Sequence, residues 1–397
     1  MKPELLAPVG DWEMLRAAIN AGADAVYLGI RGLNMRANSR SFTLEELPQI
    51  TTLCHDNDLK IYLALNTIIY ESELSRIREI LAGARSADVD AIICWDSSVI
   101  SMAREYGLDV HISTQASISN SLSAASYESQ GATRCVLARE VTLDELKEIK
   151  EKAGIEIEVF AHGAMCLSES GRCFISENLY GRSANRGECL QPCRRSYNIV
   201  DPETRKELVI EDNYVLSPKD LCILPFIEKV VPFADSLKIE GRGRSPEYVK
   251  IVVEVYREAL DSLAEGTLTD KKKKELVERL GQVYNRGFSS GFYMGRPIQE
   301  LTDSYGSKAT RKKRYVGYIK NFFKRPMAAE IVLEAGEMRK GDSILIIGPT
   351  TGVHEQEVNS MRIDDSEIDL ASKSDNVSIQ TEIIVRKNDK VYIWEKN

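Results

Sequence analysis

Long apolar runs are missing from this 397-residue sequence. No stretch approaches the ~18 consecutive apolar residues that a membrane-spanning helix needs, and Met1 to Gly10 has no apolar run of signal-peptide length behind a basic start. No membrane partner is expected, and a cytoplasmic protein is. Histidine is scarce: His55, His111, His162 and His354 form no HExxH pair, and no Ser or Cys has an evident neighbouring base, so the common hydrolytic signatures are unfilled. Gly287-Phe288-Ser289-Ser290-Gly291 matches G-x-S-x-G, but a nucleophile elbow needs a strand before it and a helix after it. Here a helical run ending at Tyr284 comes first, and a loop is predicted. An excess of positive charge is also absent; the net charge of -8 argues against indiscriminate nucleic-acid binding.

What is present is a globular composition. With 43% hydrophobic and 28% charged residues, the chain can bury a sizeable core and is long enough for two domains. Its first 250 residues or so alternate β-branched runs with amphipathic stretches, the pattern of parallel strands joined by helices. Eight strands are predicted: Glu4-Ala7, Ala25-Leu28, Lys60-Ala64, Ala91-Cys94, Val110-Ser113, Cys135-Ala138, Glu156-Phe160 and Ser236-Ile239. Similar phrases introduce several of them, including Ala23-Asp24-Ala25-Val26, Val89-Asp90-Ala91-Ile92 and Ala234-Asp235-Ser236-Leu237. Recurring βα units of this kind predict an α/β fold, a TIM-like (β/α)8 barrel over residues 1–300, with its site at the C-terminal strand ends. The seventh unit is interrupted by a cysteine-bearing insertion and a predicted hairpin near Asp201-Pro202-Glu203-Thr204. After helices at Pro246-Ala264 and Lys271-Tyr284, short strands with Gly and Asp turns predict a small C-terminal β-barrel over residues 311–397.

Of the eight cysteines, four stand close together as Cys166-x6-Cys173-x15-Cys189-x3-Cys193, right after the seventh strand. Four thiolates suit either tetrahedral zinc or an iron-sulfur cluster. Zinc knuckles prefer a tight pair in each half, and only the second pair is close here, so the spacing leans towards a cluster. Cys54, Cys94 and Cys135 read as core residues. Cys222 stands in Lys219-Asp220-Leu221-Cys222-Ile223-Leu224, which reads as a helix start where a small apolar cysteine is core.

The run Glu158-x-Phe160-x-x-Gly163-Ala164-Met165-Cys166-x4-Gly171-x-Cys173-x-Ile175-Ser176 resembles the signature of the peptidase U32 family. Ser236-Leu237-Lys238-Ile239-Glu240-Gly241-Arg242 and Ser245-Pro246-Glu247-Tyr248-Val249 resemble the family's second block, and Ser113-Thr114-Gln115 extends the likeness. The resemblance implies a 4Fe-4S cluster on Cys166, Cys173, Cys189 and Cys193, with Cys193 preferred to Cys222 as the fourth ligand. It further implies the family's tRNA-hydroxylation branch: iron-sulfur-dependent hydroxylation of an RNA base such as a tRNA wobble uridine, with prephenate as oxygen-donating co-substrate. The alternatives are a U32-type peptidase and hydroxylation of a small-molecule ring precursor.

Candidate site residues follow from the barrel geometry. Asn66, Gln115, Glu140 and His162 fall at or just past predicted strand ends and are the catalytic candidates. The turn Gly241-Arg242-Gly243-Arg244-Ser245-Pro246 follows the eighth strand, with Ser245 as N-cap and Pro246 at the first helical position, so Arg242 and Arg244 are expected to bind a small carboxylate. Arg172, between two cysteines of the quartet, is a third substrate contact. Between Ser304 and Ala329 lie eight Lys or Arg and no acid; Arg311, Lys312, Lys313 and Arg314 are the RNA-binding candidates, though a solvated linker would look the same.

Overall fold

A computed structural model describes residues 2–35, 42–166, 168–195, 197–208, 217–297, 300–304, 306–364 and 366–397, without the side chains of Ile199 and Leu208. Eight parallel strands form the N-terminal part: Glu4–Pro8, Ala25–Leu28, Lys60–Ala64, Ala91–Cys94, Asp109–Ile112, Arg134–Val136, Glu156–Gly163 and Ser236–Ile239. Each pairs with the next in sequence order, and the last pairs with both the first and the seventh, which closes the barrel. Closure is seen in the register, where Leu237 lies opposite Leu5 on one side and Val159 on the other.

Alternation explains why these segments become barrel strands. Leu6, Ala25, Tyr27, Tyr62, Ala64, Ala91 and Ile93 form one buried cluster inside the barrel. Their neighbours Leu5, Ala7, Val26, Leu28, Ile61, Leu63, Ile92 and Cys94 belong to a second cluster under the surrounding helices. Successive side chains point to opposite faces, so a strand buried on both sides needs apolar residues at nearly every position. The helices are set by local chemistry. Asp11 caps the first, Trp12–Asn20, by accepting the Met14 N–H at 2.8 Å. Thr142 and Glu145 form a capping box at Leu143–Lys152, and Pro246 opens the long helix Pro246–Ala264.

Several predicted elements differ in kind from expectation. The Cys222 segment is a short strand, Asp220–Cys222, antiparallel to the end of the seventh barrel strand, and not a helix start. The G-x-S-x-G segment holds a two-residue strand, Phe288–Ser289, followed by a turn. The hairpin near Asp201 is formed by Ile199–Val200 and Glu207–Leu208.

Among the described residues the C-terminal part is an open sheet and not a barrel. Eight strands form an open sheet running from Gly352–Glu357 at one edge to Ser366–Glu367 at the other, with a separate two-stranded ribbon, Glu337–Arg339 with Leu370–Ser372. One edge packs on the barrel instead of closing: Asn20 Nδ2 donates to Thr351 O at 3.3 Å, and a Cβ on Gly352 would lie 3.1 Å from Arg16 Cβ. A helix laid along an edge satisfies it as closure would. The sheet has its own core, including Val316, Ile331, Ile346, Val377 and Val391, while Leu345, Ile347, Val353 and Trp394 join the barrel's helix-side core. Among the described residues no helix is long and apolar enough to cross a membrane.

Candidate active site

The inward-facing side chains carry charge up the barrel axis. Glu158 is fully buried; it accepts from Lys238 Nζ at 2.7 Å, Ser236 Oγ at 3.2 Å and Arg134 Nη1 at 3.3 Å. Arg134 also reaches Glu4 at 2.5 Å, and the Tyr62 hydroxyl donates to Glu4 at 2.7 Å. Burial raises the Glu158 carboxyl, but Lys238 and Arg134 outweigh it and hold the group down at about 2. Lys238 Nζ also lies 4.5 Å from the centre of the Tyr27 ring.

Above this network, at the C-terminal strand ends, a cavity of about 380 Å³ opens. Tyr27, Ala64, Ile93, Val136, Phe160 and Lys238 form its floor, one side chain from each of six strands. Among the described residues five cations line it, Arg139, Arg194, Lys238, Arg242 and Arg244, against the single carboxylate Glu240. The cavity is thus locally positive in a chain of net charge -8. Arg242 is buried, with Nη1 3.1 Å from Asn34 Oδ1, and Arg139 stacks on Phe160 at 3.7 Å while donating to Ala164 O at 2.9 Å. Close approach explains two glycines here. A Cβ on Gly29 would come within 2.4 Å of Asn34 and 2.7 Å of the Arg242 guanidinium; one on Gly163, at φ +109°, would lie 2.6 Å from Glu240 O.

The predicted residues separate. Asn66 and Gln115 both line the cavity and meet there, Asn66 Nδ2 donating to Gln115 Oε1 at 3.4 Å and to Ser113 Oγ at 3.3 Å. Arg172 Nη2 donates to Gln115 O at 2.6 Å, and its guanidinium lies 4.9 Å from the Trp95 ring centre. Glu140 is exposed and does not line the cavity. His162 is buried outside the barrel wall, among Tyr248, Tyr256 and Phe288. A bulge accounts for this. Phe160 pairs with Lys238, but the register then skips Ala161 and sets His162 opposite Ile239, so the imidazole turns from the inner to the outer face. Burial first, and then Arg244, lower its pKa to about 3.

The four clustered cysteines, Cys166, Cys173, Cys189 and Cys193, line the cavity rim, whereas Cys222 is buried beside the Tyr256 hydroxyl. Burial pushes the Cys193 thiol up, against the pull of Arg194, with Cys166, Cys189 and Cys173 adding to the rise. Even so, among the described residues no group of three or more His, Cys, Asp or Glu is placed to hold a metal ion. Cys173 N–H donates to Asn185 Oδ1 at 3.2 Å, and Cys189 Sγ takes the Gln191 N–H at 3.3 Å within its own turn. Among the described residues the expected 4Fe-4S cluster therefore has no coordination sphere, and the expected cluster-dependent RNA-base hydroxylation with prephenate is not supported. Sequence reasoning missed Lys238, Glu240 and Arg139 as lining residues. For Lys238 and Glu240 the signal was the inward parity of positions 236, 238 and 240; Arg139 had none.

The basic run is not a linker. Arg311–Phe323 is one long strand, and each of its four leading cations faces an acid: Arg311 pairs with Glu355 at 3.0 Å, Lys312 with Glu395 at 3.8 Å, Lys313 with Glu247 at 2.8 Å and Arg314 with Glu395 at 3.3 Å.

Residues 10–303 match the model of peptidase family U32. The chain belongs to peptidase family U32. Among its relatives, an uncharacterised protease of Methanocaldococcus jannaschii is 44% identical over 99% of this chain and 98% of its own length. A collagenase of Porphyromonas gingivalis is 43% identical over 99% of this chain and 98% of its own length. A tRNA hydroxylation protein of Bacillus subtilis is 35% identical over 88% of this chain and 84% of its own length. The U32 assignment stands, but the expected placement in the tRNA-hydroxylation branch does not, because the protease-named and collagenase-named relatives are more similar over more of the chain.

Proposed function

We propose that this U32 protein hydrolyses peptide bonds in the mouth cavity and prefers peptides that present a carboxylate. The observation that carries the reading is the cavity's charge, five cations against one carboxylate among the described residues at the C-terminal end of a closed barrel. Lys238 and Arg242 supply preorganised donors for the oxyanion of a tetrahedral intermediate, and Glu158 holds Lys238 in place. Glu240, on the same strand end, is the carboxylate positioned to take a proton from attacking water. The small carboxylate expected at Arg242 and Arg244 is then the C-terminus or an acidic side chain of the peptide. The names of the two most similar relatives reported above support the same reaction class.

RNA, the partner implied by the resemblance, would have to displace the acids that hold Arg311, Lys312, Lys313 and Arg314; a peptide in the cavity needs no such exchange. A cytoplasmic location fits the cysteines, none of which is in a disulfide among the described residues. The test is cleavage of gelatin and of a peptide library, followed by mass spectrometry. We expect cleavage enriched near acidic residues or C-termini, and a kcat lowered by about a hundredfold in Glu240→Gln with KM little changed. No cleavage of any peptide, or an unaltered kcat in Glu240→Gln, defeats the reading.

A further inference from the structure

We propose that the protein has a second binding site, for a small aromatic oxyanion, in the cleft between the turn after the eighth barrel strand and the C-terminal sheet. A cavity of about 360 Å³ lies there, within the range of small-molecule sites. It is separate from the mouth cavity, although Arg242, Gly243 and Arg244 form a wall common to both.

Among the described residues four cations line the cleft, Arg242, Arg244, Lys313 and Lys390, against the two carboxylates of Asp11 and Glu13. Asp11 is engaged as the cap of the first helix. Arg244 stacks on the Tyr284 ring at 3.7 Å, an arrangement that uses the face of the guanidinium and leaves its N–H edge for an oxyanion. Lys313 is fixed between Glu247 at 2.8 Å and the centre of the Tyr392 ring at 5.0 Å, and Lys390 is exposed at the head of its strand. Beside the cations lie apolar surfaces, Met14, Ile347, Pro349 and Tyr392, suited to a ring. At Gly243 a Cβ would meet nothing within 4 Å, so neither packing nor a left-handed φ calls for glycine there, and the missing side chain keeps the cleft open. Charge and apolar surface together select an oxyanion carried on a flat body, of which an aryl dicarboxylate and a nucleoside monophosphate are the two sources.

The test is calorimetric titration of the full chain with phthalate, adenosine monophosphate and inorganic pyrophosphate. We expect one of the two aromatic probes to bind at a single site, and pyrophosphate, which lacks a ring, to bind more weakly. Lys390→Glu should weaken the bound probe by about tenfold or more, and Pro349→Trp, at an exposed turn beside the cavity, should abolish its binding. Arg139→Ala, in the mouth cavity, should leave it unchanged. Melting curves verify that each variant is folded. No binding of either aromatic probe at ~1 mM overturns the proposal, as does binding that survives both cleft variants or is lost in Arg139→Ala. Peptide cleavage is not the readout, so this result is independent of the hydrolase reading.

Discussion

Glu158 and His162 stand four positions apart on one strand and face opposite ways, and each makes a distinct prediction about stability. Glu158 neutralises Lys238 and Arg134 inside the barrel, where an uncompensated charge is costly. Glu158→Gln should therefore destabilise the fold by about 3–5 kcal/mol, measured by urea unfolding at pH 7. A loss near zero would mean that water already screens the trio. For His162 the sign follows from its lowered pKa. Between the ordinary 6.5 and the folded value of about 3 the unfolded chain takes up a proton that the native state refuses, so stability falls as pH falls through that window. Glu158 adds its own loss only lower, as pH falls from 4.5 towards about 2. His162→Phe, which keeps an aromatic in the Tyr248, Tyr256 and Phe288 cluster, should flatten the stability slope between pH 6.5 and 5. The same slope in both proteins would assign the acid sensitivity elsewhere. Both residues could be found in the sequence, but only Glu158 could be given its face by parity. The bulge at Ala161 is a backbone event with no residue-type signal.

At the scale of elements, the barrel strands were readable because two-sided burial demands continuous apolar runs, and Ala25–Leu28, Lys60–Ala64, Ala91–Cys94 and Ser236–Ile239 have the bounds that were predicted. The basic strand Arg311–Phe323 was harder, since its charges look solvated until the partners Glu247, Glu355 and Glu395 are known, and these are distant in sequence. The Cys quartet was misread for a related reason: its segment is irregular, so no period converts spacing into distance. The seventh strand ends on Gly163 because its φ of +109° and the approach of Glu240 O exclude a side chain. Gly163→Ala should cost about 1–3 kcal/mol and lower the Tm, as followed by circular dichroism, because the strain falls on backbone that cannot move aside. An unchanged Tm would show that the strand end relaxes freely.

Across the whole molecule, the change from βα units to short strands is visible in sequence as a change of period, but the way the sheet packs on the barrel is not. Leu345, Ile347, Val353 and Trp394 belong to the sheet by sequence and to the barrel's core by packing, an assignment that depends on which sheet face meets the helix Trp12–Asn20. Such shared burial couples the parts: exposing those side chains costs apolar surface whichever part unfolds first. Calorimetry of the intact chain should accordingly show one cooperative transition. Trp394→Ala removes the largest of the four bridging side chains, which is buried, and should cost about 3–5 kcal/mol at the junction. With the coupling weakened, the endotherm should split into two, since the sheet keeps its own core around Val316, Ile331 and Ile346 and the barrel keeps its closed strand circuit. Two transitions already present in the unmodified protein would mean that the parts unfold independently, and that the bridging residues pack without binding the halves together.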